Sequence, residues 1–317
     1  MTRRVIENVH MGNTWSSWAG CAEAVLRAAG LYDGDTTELM GQTGCAFHFQ
    51  INPGVCPSSV TEFPWNDFPV YALDLLGVDS EAVQISPPGM LREPAMRARA
   101  VARIKASIDG GIPAIVWAPT PVLEFGVLHG YDDADAAFDV TAYGAPGSEP
   151  DPLLYENLGR GEVAILFYQI VHGREPVDLS QSRRRALELC VQLWKPSPSH
   201  PGRGQSGYSV WLDALRREDF VPFGVAYNTT VYADAKRHAQ KYLERLVDEK
   251  AFAGLEPARD AYATVASKLA RVAELIPFRG PASKVEKTAL PEAISLLAQS
   301  AEHEARARTA IERMLAC

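Results

Sequence analysis

The spacing of apolar and polar residues predicts helices in the first third of the chain. Segments 17–29, 66–76 and 96–111 each have the pattern of a helix, and the glycines Gly30 and Gly110 lie where the first and the last of them end. The stretch between the first two helices is rich in glycine, proline, serine and aromatic residues, which predicts mainly loop. The chain therefore begins with helices and a long, irregular connection.

Short apolar runs then follow one another and indicate strands. The acidic sequence "DDAD", residues 132–135, separates two of these runs and predicts the turn of a hairpin. Helices followed by a run of strands predict an α+β fold and argue against a doubly wound sheet. The predicted strands are 112–118, 124–131, 136–143 and 163–170.

Nearly all of the chain after residue 195 has the pattern of helices. A linker rich in proline, glycine and serine spans 195–207 and follows a helix predicted over 179–194. Further helices are predicted over 208–217, 230–249, 256–276 and 290–315. In the third of these, apolar residues recur at alternating steps of four and three and form one stripe: Ala258, Tyr262, Val265, Leu269, Val272 and Ile276.

These patterns predict two domains. An α+β domain covers residues 1–195, and a helical extension covers residues 205–317. A helix with a single apolar stripe is stabilised mainly by packing against another surface. We therefore expect the helical extension to pack on the first domain.

Charge and hydropathy exclude some classes of function. The 317 residues include 39 acidic and 31 basic side chains, for a formal net charge of -8, whereas a sequence-independent nucleic-acid binder needs a basic face. No apolar run approaches the roughly 20 residues of a membrane span, and the first residues lack the apolar core of a secretory signal. We therefore expect a cytoplasmic protein without nucleic-acid or membrane partners.

The cysteines give no sign of a disulfide framework or a zinc site. Their number is odd, their spacing is irregular, and no C-x-x-C occurs among Cys21, Cys45, Cys56, Cys190 and Cys317. No cluster of metal ligands and no glycine-rich phosphate loop is evident either. The sequence therefore predicts neither a metal nor a cofactor.

Three segments together resemble a known family. The helix "SWAGCAEAVLRAAG", the hairpin "EFGVLHGYDDADAAFDVTAY" and the segment "MGQTGCAFHFQI" resemble the papain-like fold. They are most similar to the double-glycine-leader peptidases and to the N-terminal domain of the butirosin-biosynthesis acyltransferase family. The resemblance covers roughly residues 10–172. The order of the three segments along the chain is more specific than any one segment. The resemblance implies a papain-like α+β domain.

The resemblance also indicates where catalytic residues would lie. If the glycine that ends the family's first helix is matched with Gly30, the family's nucleophile falls on Ser17. If the glycine of the hairpin's G-Y-D is matched with Gly130, the family's catalytic histidine falls on Glu124. The third member would fall on 142–144, which contains neither Asp nor Asn. The resemblance thus implies an altered triad.

The choice of nucleophile stays open at this point. Cys21 lies one turn after Ser17 among small apolar residues, which favours a structural role, although the start of a helix can lower the pKa of a thiol. Cys56 lies in a loop with proline and hydroxyl residues, a setting that suits a reactive thiol. Glu124 is the candidate general base, and His129, on an apolar strand, more often has a structural role.

Other residues near these positions are candidates for a binding pocket. Asn13 and Thr14 precede the first helix, where they could cap it or donate hydrogen bonds to a substrate. Tyr143 is the nearest polar group at the third catalytic position. Trp18, like Trp15 and Trp65, could line an acyl pocket or belong to the core; the sequence alone does not distinguish these roles.

By resemblance, the expected function is acyl-group chemistry in small-molecule, antibiotic-type natural product biosynthesis. The reaction would be amide formation, cyclisation or cleavage on a small-molecule acyl substrate, free or bound to an acyl carrier protein. The alternative is a binding protein whose degenerate papain-like pocket holds a small molecule or a partner without turnover. The missing histidine favours the binder, since a carboxylate activates a serine poorly.

Overall fold

The computed structural model describes residues 2–85, 90–144 and 150–316. The chain forms two compact units, each built from two stretches of sequence. The first unit consists of Met1–Thr36 and Pro64–Val177, and the second of Thr37–Phe63 and Asp178–Cys317. The architecture is mixed α+β, as predicted, with an antiparallel sheet in the first unit and mostly helices in the second.

The strands all belong to the first unit, and the helices occur in both. The strands are β1 (Arg3–Val5), β2 (Val78–Ile85), β3 (Ala114–Trp117), β4 (Phe125–Asp132), β5 (Ala137–Ala142), β6 (Leu153–Leu154) and β7 (Leu166–Arg174). The helices are α1 (Ser17–Ala28), α2 (Thr36–Gln42), α3 (Phe68–Asp74), α4 (Glu93–Asp109), α5 (Leu179–Trp194), α6 (Gly204–Arg217), α7 (Pro222–Asp248), α8 (Glu256–Leu275) and α9 (Leu290–Leu315).

Within the described residues, seven strands form one antiparallel sheet; six of them follow the order β2-β7-β3-β4-β5-β6, and β1 lies off this path. Strand β1 pairs with the end of β4, where Val5 lies opposite Gly130. The predicted hairpin is confirmed, since β4 and β5 pair from Asp132 opposite Ala137 back to Gly126 opposite Ala142. The register shifts between Leu128 and Gly130, so that His129 occupies a β-bulge.

Helices α1 and α4 cover opposite faces of this sheet. Successive side chains of a strand point to opposite faces, and β7 shows the division clearly. Its residues Tyr168 and Ile170 belong to the apolar core that includes Ile104 of α4. Its residue Gln169 instead bonds to the indole of Trp18 in α1. The first helix therefore packs on the sheet.

Some elements were not predicted. Strand β2 has a mixed polar and apolar sequence, "VDSEAVQI", that does not stand out by itself, and it is stabilised by pairing with β7 along its whole length. Helix α6 begins at Gly204, inside the predicted linker. Helix α7 begins at Pro222, earlier than the predicted 230, because proline suits the first turn of a helix.

The second unit contains more of the chain than the predicted helical extension. Residues 37–63 belong to it, although the predicted first domain included them. The physical reason is aromatic packing: Phe47 contacts the ring of Tyr262 at 5.4 Å between centroids, and Phe49 stacks on Tyr208 at 4.1 Å. Helix α5 belongs to this unit as well. The apolar stripe predicted on α8 is buried.

A buried ionic cluster lies at the centre of the second unit. The Lys236 ammonium is 2.8 Å from the Glu304 carboxylate, and neither side chain is exposed to solvent. The hydroxyls of Tyr208 and Tyr262 each donate a hydrogen bond of 2.9 Å to Glu304. Burial by itself would raise the pKa of Glu304, but Lys236 and Arg308 hold it below its ordinary value. Glu304 is therefore a carboxylate whose charge is compensated inside the core.

The same cluster fixes a segment of irregular backbone. The Lys236 ammonium donates to the carbonyl oxygens of residues 46, 47 and 48, at 3.3 to 3.4 Å. The Arg308 guanidinium donates to the carbonyl of Phe47 at 2.9 Å and to the Cys190 sulfur at 2.7 Å. Buried carbonyl groups need such partners when they lie outside regular secondary structure. The charges in α7 and α9 therefore hold the segment that follows α2.

Candidate functional site

Ser17 and Glu124, which the resemblance matches with the family's nucleophile and histidine, meet in the first unit. Ser17 is the first residue of α1, and Glu124 immediately precedes β4, against which α1 packs. The Ser17 hydroxyl donates a short hydrogen bond of 2.5 Å to Oε2 of Glu124. The backbone N–H of Phe125 lies 3.4 Å from the same Ser17 oxygen and points to it as a donor. Ser17 is buried, with 4% of its surface exposed, while Glu124 is half-buried.

The start of α1 provides backbone donors beside Ser17. The N–H groups in the first turn of a helix have no carbonyl partner within the helix. Ser16 is the N-cap, and its side chain makes no capping hydrogen bond. The partial positive charge of a helix N-terminus stabilises negative charge nearby. Negative charge that develops on an oxygen at the position of Ser17 is therefore stabilised by the start of α1.

The hydroxyl of Tyr143 holds the loop that leads into α1. Tyr143 follows β5, and its hydroxyl lies 2.7 Å from the carbonyl oxygen of Gly12 and 2.8 Å from that of Thr14. The side chain of Thr14 accepts a bond from the backbone N–H of Ser16. The N–H of Gly12 in turn donates to the carbonyl of Gly20 in α1. Residues 12–14 are thus held by Tyr143 after β5 and by Gly20 in α1.

The predicted pocket residues have different environments. Thr14 is buried, whereas Asn13 is exposed. Trp18 is buried and donates from its indole N–H to Gln169 at 2.9 Å, so it serves the packing of α1 on the sheet. Trp65 is buried among aromatic rings, including that of Phe125. Of the three tryptophans that could contact a substrate, these two belong to the core.

Cys21 lies close to Glu124 but in an environment that opposes a thiolate. It is fully buried, and its sulfur is 4.0 Å from the sulfur of Met11. Burial raises the pKa of the Cys21 thiol well above its ordinary value, and the negative charge of Glu124 raises it further. Since the thiolate is the nucleophilic form, these conditions argue against the reserve role of Cys21.

Cys56 lies outside the first unit. It belongs to the segment of the second unit between α2 and α3, and it is half-buried. Its sulfur lies 3.1 Å from the hydroxyl oxygen of Ser58. Among the residues that the structure describes, no carboxylate or imidazole contacts this thiol. The structure therefore gives Cys56 no base, and it does not group this residue with Ser17 and Glu124.

His129 has a structural partner. Its Nδ1 atom lies 3.0 Å from the carbonyl oxygen of Ile6, and the backbone N–H of Ile6 donates back to the carbonyl of His129. These bonds join the β-bulge of β4 to the residue after β1. The interpretation of His129 as a histidine with satisfied hydrogen bonds agrees with this geometry.

Two contributors to the site were missed in the sequence. The backbone N–H of Phe125 could not be recognised because it depends on the turn that brings Glu124 to Ser17. Gln169 could have been found, since it is the one amide side chain in the apolar run "VAILFYQI". Besides Trp18, it bonds to the carbonyl of Pro69 and the hydroxyl of Ser80, so it joins α1, α3 and β2 beneath the site.

Neither a metal site nor a membrane helix is found in the described parts of the chain. Within residues 2–85, 90–144 and 150–316, no three His, Cys, Asp or Glu side chains are grouped so that they could hold a metal ion. No helix in these ranges is long and apolar enough to cross a membrane.

No protein-family model matches the chain, and no curated protein is similar enough to count as a relative.

Proposed function

We propose that the first unit is a papain-like domain with an altered triad and that the protein is an acyl-transfer enzyme. In this proposal Ser17 is the nucleophile and Glu124 accepts its proton. The hydrogen bond between the two side chains, at the start of α1, is the observation that carries the proposal. A nucleophile within hydrogen-bonding distance of a base is the geometry that covalent catalysis requires.

The chemistry would proceed in two transfers. The Ser17 oxygen attacks the acyl carbon of a thioester and forms a C–O bond, while its proton moves to Glu124. The C–S bond then breaks, and the leaving thiolate takes that proton. An amine next attacks the acyl-serine, the C–N bond of the amide forms, and the C–O bond to Ser17 breaks. The amine's proton passes through Glu124 to the departing Ser17 oxygen. With water in place of the amine, the same steps give hydrolysis.

Two features of the site compensate in part for the weak base. A carboxylic acid is far more acidic than an alcohol, so proton transfer from Ser17 to Glu124 is uphill. Ser17 is buried, and donors placed in a site with little water stabilise a developing oxyanion more than they would in water. The first turn of α1 and the N–H of Phe125 supply such donors. The substrate belongs to the small acyl compounds of natural product biosynthesis, free or carrier-bound.

The alternative is a binding protein with a papain-like pocket and no turnover. Among the described residues, Ser17 has a carboxylate and a backbone N–H as its side-chain partners, and no imidazole. That observation favours the binder, because the usual proton carrier is missing. In a binder, Glu124 would accept a hydrogen bond from the ligand instead.

Acyl-enzyme formation decides between the two functions. Wild-type protein is incubated with p-nitrophenyl esters and with acyl thioesters plus an amine, and turnover and intact mass are followed. We expect a mass increase of one acyl group on Ser17, its loss in Ser17→Ala, and turnover reduced on the order of 10²–10⁴-fold in Glu124→Gln. Ser209→Ala, at an exposed serine of α6 in the second unit, is the matched control. Turnover that survives Ser17→Ala contradicts Ser17 as the nucleophile, and the absence of both turnover and acyl-enzyme in the wild type contradicts the enzyme proposal and favours the binder.

A further inference from the structure

Two loops lead into the Ser17–Glu124 pair, and a third loop contacts the end of the strand β3 that precedes the second. The first, residues 13–16, leads into Ser17. The second, residues 118–123, leads into Glu124 and is closed by a bond from the N–H of Ala118 to the carbonyl of Glu124 at 2.8 Å. The third loop, residues 158–165, contacts the last residue of β3, since the indole of Trp117 donates to the carbonyl of Val163 at 3.3 Å.

Each of these loops exposes a large apolar side chain. Trp15 is 45% exposed, Val122 is 46% exposed and Val163 is 41% exposed. Two residues of chain span at most about 7 Å, so Trp15 lies within that distance of Ser17, and Val122 within that distance of Glu124, measured between Cα atoms. Since the Ser17 and Glu124 side chains are in contact, Trp15 and Val122 both lie beside the reactive pair. Two exposed apolar side chains that flank one reactive pair provide apolar surface where the chain of a bound ligand would lie.

The two nearest loops also carry no charge. Their sequences, "NTWS" at 13–16 and "APTPVL" at 118–123, contain no ionisable side chain, so neither loop offers a charge to compensate Glu124. The second loop is restrained by Pro119 and Pro121, which fix their backbone φ angles. A bond from the N–H of Val122 to the Thr120 hydroxyl restrains it further. A rigid apolar surface loses little entropy when it binds a ligand.

We propose that Trp15 and Val122 form the binding surface for the acyl group, and that the substrate is an acyl compound with an uncharged, apolar chain. This inference rests on the proposed function, because it places the acyl carbon at Ser17. An anionic acyl group is disfavoured, since it would approach the Glu124 carboxylate without a cation on either of these two loops.

The test is a series of p-nitrophenyl esters from acetate to octanoate. We expect kcat/KM to rise about two- to fourfold for each methylene that the surface covers. Trp15→Ala should reduce this slope at least by half, and Val122→Thr, which keeps the shape, should reduce it without disturbing the fold. Tyr71→Ala, at an exposed aromatic residue of α3, is the control and should leave the slope unchanged. A hemisuccinate ester should react at least tenfold more slowly than the butyrate.

Binding without turnover separates this inference from the proposed function. Octanamide, which has no activated ester, is titrated into Ser17→Ala protein with and without Trp15→Ala. Octanamide binding that depends on Trp15, with no ester turned over by the wild type, supports the apolar surface and contradicts the enzyme. Ester turnover with a flat chain-length dependence, or with a preference for the hemisuccinate, overturns the apolar surface and leaves the enzyme standing. If neither ester turnover nor octanamide binding is observed, both the enzyme proposal and the apolar surface are overturned.

Discussion

Gly20 of α1 lies directly against the hydroxyl of Tyr143, so closely that a Cβ atom at position 20 would overlap the hydroxyl oxygen. A glycine inside a helix is about 1 kcal/mol less favourable than alanine, so its presence requires a local reason. The close approach of Tyr143 is that reason. It lets the hydroxyl reach the carbonyls of Gly12 and Thr14 before the helix begins.

We therefore predict that Gly20→Ala destabilises the protein although it improves helix propensity. The methyl group displaces the Tyr143 hydroxyl and breaks the hydrogen bond that its single proton shares between these two carbonyls, with an expected loss of about 1–3 kcal/mol in the free energy of unfolding. Urea denaturation measures the loss. In the Tyr143→Phe background, which lacks the hydroxyl, Gly20→Ala should cost less. Equal costs in both backgrounds would contradict the role given to Tyr143.

The thiols should react in the order of their exposure. Cys21 is fully buried and its pKa is raised, whereas Cys56 is half-buried in a loop. After brief treatment of folded protein with iodoacetamide, we expect alkylation of Cys56 well before Cys21, measured by peptide mass spectrometry. Both should react at similar rates in urea, which controls for digestion and detection. Faster labelling of Cys21 in the folded protein would return it to the nucleophile role.

Removal of one partner of the buried ion pair should be costly. Lys236→Met leaves the Glu304 carboxylate without its closest cation, and the loss of one partner of a buried pair typically costs about 3–5 kcal/mol. Lys287→Met is the matched control, because its pair with Glu218 is exposed and an exposed pair contributes about 0–1 kcal/mol. Denaturation midpoints of both variants give the comparison.

The double variant Lys236→Met with Glu304→Gln tests whether the two charges act as a pair. It should lose less stability than the sum of the single variants, because no uncompensated charge of this pair remains. Additive losses would show that the Glu304 charge is compensated by Arg308 and the tyrosines without help from Lys236.

His48 should make stability depend on pH. Burial lowers its pKa from 6.5 to about 3, and the positive charges of Arg203 and Lys236 add to the effect. Between these two values the unfolded chain binds a proton that the folded chain does not, so stability falls as the pH decreases from 6.5 toward 3, by up to about 1.4 kcal/mol per pH unit. Unfolding midpoints measured from pH 7 to 4.5 should show this slope.

Two variants isolate the contribution of His48. His48→Gln should flatten the slope above pH 5, even if the variant is less stable at every pH. His10→Gln, at an exposed position of the first unit, should keep the slope of the wild type. A slope unchanged in His48→Gln would assign the pH dependence to other groups.

Local patterns predicted the helices well because each of them depends on near neighbours. The stripe on α8 is an example, since its spacing alone puts Tyr262 and Leu269 on one buried face. Strand β2 and the position of residues 37–63 depend on partners far away in sequence, and no local pattern contains that information. The pairing of Ser17 with Glu124 was predicted through the family resemblance and not through periodicity.

The buried charges were missed for a different reason. A charged residue on an amphipathic helix is usually assigned to the solvent face, so the sequence did not predict that Lys236 and Glu304 are buried. Yet Tyr232, Lys236, Ala239 and Leu243 follow the four-three spacing of one buried face of α7. A helical wheel would have placed Lys236 inside. A charge within an apolar stripe is thus a sequence signal for a buried ionic cluster.

The bonds from α7 and α9 to the carbonyls of residues 46–48 also constrain the order of assembly on the ribosome. The segment 37–63 emerges long before Lys236 and Arg308 have been synthesised, so its carbonyls cannot reach their final partners during most of translation. This segment interrupts the first unit in sequence, so it remains without its final partners while the strands of the sheet are synthesised and pair. Closure of the second unit is therefore a late, long-range step of co-translational folding, and nascent chains that stop before α9 retain an incomplete core.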